Sequence, residues 1–286
     1  EEDVALGSDS LTTHGLVVGM TGSGKTGLGV GLVEEAILEG IPVLAIDPKG
    51  DLGNLCLTFP DLAPEDFAPW VEDGDPAEVA ATWRDGLAGW GLDGGSIRAL
   101  REAAPVTIYT PGSSSGVGLD IVGGLTRPAE GADAEAVVDE AIGYVSGLLR
   151  LVGIEADPLA SPEHILLTNL IQHAWDEGRD LDLAGLVAQV QRPPLRRLGV
   201  FDLEEFLPAD DRTALALRLN GLLASPAFAA WGQGVPLDID SLLLPGGRPA
   251  CAVVSMAHLD DDERQMVVTL LLTKLVTWMR TQSGTT

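Results

Sequence analysis

Apolar residues follow two rhythms along this chain, and their alternation sets the expected architecture. Short β-favouring runs at Leu16–Val18, Val43–Ile46, Val106–Tyr109 and Ala250–Val254 read as four buried strands. Helical spacing fills much of the rest. Leu28 to Leu38 follows the first strand, and residues 77 to 103 read as two short helices carrying Trp83 and Trp90. From Ala132 to about Gly234 the pattern is helical. Ala136, Val137, Ala141, Val145, Leu148 and Leu149 form one stripe there. Ile165, Leu166, Leu170 and Ile171 begin a second, led by Ser161-Pro162-Glu163, and Leu183–Val190 and Thr213–Leu223 add more. After the fourth strand, Val267, Leu270, Leu271, Leu275 and Trp278 mark a last amphipathic helix. Asp260 and Glu263 open it as a capping-box pair whose charge favours the helix dipole; the alternative for this acidic run is a Mg²⁺ site. The prediction is an α/β core with an all-helical insertion: residues 1–125 the first part of the core, 126–235 the insertion, 236–286 the return to the core.

Glycine and proline punctuate this pattern. Gly40-Ile41-Pro42 ends the first helix. Gly27, Gly29 and Gly31 lie inside it, each costing about 1 kcal/mol relative to Ala, which suggests that the helix packs very closely on the sheet. Residues 53 to 75 are loop-like, with Pro60, Pro64 and Pro69. Thr110–Gly118 is a Ser/Gly loop that either faces a ligand or simply connects. Trp83 and Trp90 read as core or packing residues rather than a base-stacking platform.

With 286 residues, 45% of them hydrophobic, the chain is long enough for one large domain or a core plus an insertion. No apolar run reaches membrane-spanning length, so a soluble, cytoplasmic protein is expected, with no membrane partner. Residues 1 to 13 form a polar, acidic leading segment, and Glu1-Glu2-Asp3 does not begin a signal peptide. The missing initiator Met suggests an excised piece. Cys56 and Cys251 have no metal spacing and read as buried, reduced thiols. His14 reads as a turn residue, and His164, His173 and His258 as capping or packing residues. The net charge of −26 excludes a broad basic surface for passive DNA binding, though not contact through a few loops in a ring pore. One basic cluster exists, Gln191-Arg192-Pro193-Pro194-Leu195-Arg196-Arg197. It suits a nucleic acid, a neighbouring subunit or a solvated turn.

The chemistry concentrates in Gly19-Met20-Thr21-Gly22-Ser23-Gly24-Lys25-Thr26, which fits G-x-x-x-x-G-K-[ST] between the first expected strand and helix. Gly22 and Gly24 lack Cβ, so the backbone can wrap around phosphate oxygens and present its N–H groups. The following helix adds its free N–H groups and its dipole. Thr21, Gly22, Ser23, Gly24, Lys25, Thr26 and Gly27 are therefore the candidate nucleotide-binding residues. Lys25 places a charge between the β- and γ-phosphates and Thr26 offers a hydroxyl to Mg²⁺, which makes these two the catalytic candidates and ATP with Mg²⁺ the expected cofactors. Gly22, Gly24 and Gly27 also fit G-x-G-x-x-G with Asp47 twenty residues on, the dinucleotide fingerprint. That reading leaves Gly19, Lys25 and Thr26 unexplained. Asp47 ends the second strand in Asp47-Pro48-Lys49-Gly50-Asp51. It is either a ligand-side acid and candidate metal ligand, or part of a turn built by Pro, Gly and Asp.

These two stretches carry a resemblance. Gly-Met-Thr-Gly-Ser-Gly-Lys-Thr, followed about one helix later by Ile-Asp-Pro-Lys-Gly-Asp, resembles the HerA/FtsK superfamily of P-loop motor ATPases, in its HerA-like branch. Phe59–Leu62, Ile108–Ser113, Glu163–Leu167 and Trp278–Thr285 are similar to one group in that branch. The resemblance implies a RecA-like (ASCE) P-loop NTPase sheet, ATP hydrolysis, a ring, hexameric in the full-length protein, that moves DNA as a translocase or helicase, and an arginine finger from a neighbouring subunit. It also implies a second acidic strand end, usually Asp-Glu, shortly after a helix like the last one here. The strand at Ala250 ends instead in Ser255-Met256, so the expectation is that the acidic strand lies outside this chain and that the chain binds Mg-ATP weakly without turning it over at a motor's rate. A second class of function stays open: a nucleotide-binding regulatory or scaffold module without translocation. A small-molecule kinase or GTPase is the third.

Overall fold

The computed structural model describes residues 7, 14–122, 125–128 and 131–282. The acidic leading segment, apart from Gly7, and the last four residues lie outside them. The chain divides into two compact units, residues 1–41 with 59–103 and residues 42–58 with 104–286.

The first unit is helical among its described residues. Helix α1 spans Lys25–Leu38, α2 Pro64–Phe67, α3 Pro76–Gly89 and α4 Gly94–Ala103. Gly40, at φ 72°, and then Pro42 end α1 as predicted. Asp75 caps α3 by accepting from the Ala77 N–H at 2.9 Å. A small core of Leu62, Phe67 and Ala80 holds this unit, with Phe59, Val71, Leu87 and Ile97 packed around it. The predicted loop at 53–75 is therefore only partly a loop: a 3-10 turn covers Asp51–Cys56, and α2 sits within it.

Some expectations fail in this unit. Leu16–Val18 form no strand, and Leu16 and Val18 are 87% and 78% exposed. Three apolar residues gain strand structure only from a neighbour's hydrogen bonds, and no described strand pairs with them. A Cβ at Gly27, Gly29 or Gly31 would meet nothing within 4 Å. Trp83 and Trp90 are 56% and 80% exposed rather than core; Trp83 keeps one ring contact with Phe67, at 6.4 Å.

The second unit is mixed α/β. Strands β1 (Val43–Asp47) and β2 (Val106–Tyr109) flank β7 (Cys251–Ser255) in a three-stranded, fully parallel sheet of order β1-β7-β2. Val43 pairs with Cys251, and Val106 with the same residue from the other side. Cys251, Ala252, Val253 and Val254 are at most 1% exposed, the unbroken apolar run of a central parallel strand. Short pairs sit outside this sheet: β3 (Leu119–Asp120) with β6 (Val235–Pro236), and the antiparallel β4 (Arg197–Leu198) with β5 (Phe201–Asp202).

Helices α5 (Ala134–Leu151), α6 (Pro162–Asp176), α7 (Leu183–Gln191), α8 (Leu203–Phe206), α9 (Ala209–Ala224), α10 (Ile239–Leu243) and α11 (Asp261–Thr281) complete the unit. They share one apolar core with the sheet, from Leu148, Leu166, Leu170, Leu186 and Leu219 to Val254 and Leu270. The two long helices α5 and α11 run antiparallel: Asp133 caps α5 and pairs with Arg280 in the last turn of α11 at 2.9 Å. Gly143 and Gly147 let them approach. A Cβ at Gly147 would fall 2.7 Å from Met266 Cγ. Glu140 and Lys274 form a largely buried ion pair across the same contact, at 2.6 Å. No strand of the three-stranded sheet falls among the described residues between 132 and 234.

Candidate nucleotide-binding site

The Gly19–Thr26 loop is shaped by its own backbone. Gly22 and Gly24 take positive φ, 78° and 86°, which side-chain-bearing residues rarely adopt. Ser23 N–H closes a turn on the Met20 carbonyl at 3.2 Å. A Cβ on Gly19 would lie 2.5 Å from Ser23 Oγ and would displace that hydroxyl, whereas Gly22 and Gly24 are needed for conformation. Nothing lies within 4 Å of the Cβ positions of Gly22, Gly24 and Gly27, which leaves the loop's face open.

Helix α1 begins at Lys25 with Gly24 as its N-cap. No side chain caps it and its first turn holds no acid. The first N–H groups of a helix have no partner within it, so this end stays electropositive and available to an anion. Lys25 is half-buried and its Nζ donates to the Met20 carbonyl at 2.6 Å, which holds the ammonium against the loop. Thr21, Gly22, Ser23, Thr26 and Gly27 are exposed. All the candidate residues but Asp47 thus fall on one continuous loop and helix start in the first unit.

Asp47 belongs to the second unit. It is buried, 3% exposed, at the end of β1. Its Oδ1 accepts from the N–H groups of Lys49, Gly50 and Asp51 at 3.3, 2.8 and 3.2 Å, and Oδ2 from Leu52 at 2.9 Å. Gly50 supplies the left-handed residue of the turn, φ 82°. The carboxylate therefore organises the Pro-Lys-Gly-Asp turn, the structural half of the sequence reading. Asp260 and Glu263 are engaged in the same way. Asp260 Oδ1 accepts from Glu263 N–H at 2.9 Å and Glu263 Oε2 from Asp260 N–H at 3.0 Å, the reciprocal box that starts α11. Among the described residues no group of three or more His, Cys, Asp or Glu is placed to hold a metal.

The remaining candidates have structural partners. His258 Nε2 donates to the Pro111 carbonyl at 2.8 Å. The Thr110–Gly118 loop closes on itself: Thr110 Oγ1 donates to the Ser113 carbonyl at 3.1 Å and accepts from Gly116 N–H at 3.1 Å. Cys251 is buried, and burial pushes its thiol up to about 11. Cys56 is exposed, contrary to expectation, because it ends a 3-10 turn rather than entering the sheet. Sequence reasoning missed a polar cavity beside α11. Lys274 and Glu140 line it, and the adjoining chamber is also lined by Tyr144, whose buried hydroxyl has no hydrogen-bond partner among the described residues. It missed too the apolar tip of the β4–β5 hairpin, Val200 and Phe201.

Comparison with known proteins agrees with the loop. Residues 1–76 match the family model described as "Helicase HerA, central domain". The matched stretch holds both the Gly19–Thr26 loop and the Asp47–Asp51 turn, and it supports assignment to the HerA-like ATPases. No curated protein and no solved structure matches the chain. Among the described residues, no helix is long and apolar enough to cross a membrane.

Proposed function

We propose that this chain is the nucleotide-binding part of a HerA/FtsK-like motor ATPase, with a RecA-like P-loop core into which residues 126–235 are inserted. The observation that carries this reading is an uncapped, acid-free helix start directly behind Gly22 and Gly24 in left-handed conformations, inside the stretch that matches the HerA central domain. The loop N–H groups and the first turn of α1 bind the phosphates of ATP. Lys25 exchanges its contact with the Met20 carbonyl for the β- and γ-phosphate oxygens, and so places a positive charge where negative charge develops. The open glycine face and the exposed Thr26 hydroxyl fit a Mg-nucleotide, with Thr26 as the residue that would hold the ion. When bound, Mg²⁺ neutralises charge between the β- and γ-phosphates. The core works as a homo-oligomeric ring, hexameric in the HerA manner, and the coupled work is movement along DNA.

Steady-state ATPase activity with and without single-stranded DNA, beside a Lys25→Ala control, tests this. The reading predicts slow turnover that falls to background in Lys25→Ala and rises with DNA. Lys25-dependent nucleotide binding with neither turnover nor DNA stimulation would support the regulatory or scaffold reading instead.

A further inference from the structure

Residues 191–202 hold three arginines and one aspartate in a chain whose net charge is −26. The structure ends this stretch in a short hairpin. Arg192 is the C-cap of α7, and β4 and β5 then pair across the two-residue Gly199-Val200 turn. Leu198, paired with Phe201 next to the turn, and Leu203, just after β5, are both 6% exposed and belong to the apolar core. The hairpin tip faces outward: Val200 is 77% exposed and Phe201 56%. Arg197 is spent on the hairpin itself, donating to the Val200 carbonyl at 2.7 Å and pairing with Asp202 at 3.4 Å. Arg192 and Arg196 are exposed, and no ion pair or side-chain hydrogen bond to either is found among the described residues.

We propose that the β4–β5 hairpin binds single-stranded nucleic acid, Arg192 and Arg196 contacting backbone phosphates and Phe201 stacking on a base. This deepens the motor reading and rests on it for its biological sense, though not for its chemistry. Two exposed guanidiniums and an exposed aromatic ring on one short stretch form the combination that single-strand binders use, charge for the backbone and a π-face for the bases. A fixed hairpin loses less freedom on binding than a mobile loop. A single strand is favoured over duplex because Phe201 needs an unstacked base. The acidity of the rest of the chain confines the contact to the hairpin and makes it weak and salt-sensitive.

The test is fluorescence anisotropy of labelled oligo(dT) and oligo(U) with the whole chain, from about 50 to 200 mM salt. Arg192→Glu/Arg196→Glu should weaken binding at least about tenfold and lower the salt slope by roughly 1.4, the share of two single-strand phosphate contacts. Arg192→Lys/Arg196→Lys should restore most of the affinity, since a phosphate contact needs the charge. Phe201→Ala should weaken binding about 5- to 100-fold, in the range of one lost stack. Unchanged affinity in both the charge-reversed and Phe201 variants overturns the proposal. So does a charge-reversal effect on self-association, read by sedimentation, without an effect on oligonucleotide binding; the hairpin would then dock on the acidic surface of a second copy. Mg-ATP affinity, measured in parallel, separates the two readings. Loss of Lys25-dependent ATP binding with hairpin binding intact removes the motor reading alone.

Discussion

His164 shows how far a single side chain can be committed to the fold. It has no exposed surface, and its two ring nitrogens meet Ser146 Oγ at 2.9 Å and Thr168 Oγ1 at 3.2 Å. Burial disfavours the imidazolium and holds its pKa below the ordinary value near 6.5. The unfolded chain therefore takes up this proton first as pH falls. The stability His164 supports is present above about pH 6.5 and is lost on acidification through its folded value. Asp133, Glu177 and Glu204 are shifted down as well, by backbone or arginine hydrogen bonds, but carboxylates act at lower pH, starting from ordinary values of 3.8 to 4.5. Urea unfolding from about pH 8 to pH 5 should show the native chain weakening below about 6.5. His164→Gln should start less stable and stay nearly flat over that range; parallel curves would show that another group is responsible. The same commitment explains Asp47. Its carboxylate looked available for a metal because an acid at a strand end suits either chemistry or a turn, and only the four N–H groups around it distinguish them.

At the scale of elements, glycine carried two opposite meanings. The three glycines of α1 face open space, whereas Gly143 and Gly147 of α5 set how closely α11 approaches. Gly29→Ala should gain about 0.5–1 kcal/mol of helix stability. Gly147→Ala should lose about 1 kcal/mol or more despite the same propensity gain, because its Cβ would be driven 2.7 Å from Met266 Cγ. Hydrogen exchange, read separately in α1 and in α5 with α11, should slow in the first variant and quicken in the second. Matching shifts in both would show that propensity, not packing, governs these helices. Nothing in the one-dimensional pattern separates the two sets, since packing depends on a partner hundreds of atoms away. The long elements were legible for the converse reason. The run of β7, the stripe of α5 and the Asp260–Glu263 box of α11 are set by local periodicity and capping. Two-residue strands such as β4 and β5 leave no periodicity to read, so the basic cluster was visible and its hairpin was not. Leu16–Val18 erred the other way: the run is apolar enough for a strand, but no partner strand was assured.

For the whole molecule, the acidic surface and the HerA-like loop make different demands. A net charge of −26 repels nucleotide and nucleic acid at long range, so the binding proposed above rests on a few positively polarised points: the α1 start with Lys25, and Arg192 with Arg196. The loop's backbone shape was legible in the sequence, because glycines at fixed spacing set it. Its coupling to catalysis was not, because a water-orienting carboxylate is a property of three-dimensional placement, and the acids near the candidate strands are engaged in turns and caps. The central claim is that Gly19–Thr26 binds the phosphates of ATP through Lys25. Titration of a fluorescent ATP analogue with Mg²⁺ into the native chain and into Lys25→Ala, each checked for folding by circular dichroism, tests it most directly. The account predicts saturable binding by the native chain and a loss of at least about tenfold in the variant, the value of one charge-assisted contact to phosphate. Equal affinity in a folded Lys25→Ala chain would contradict it.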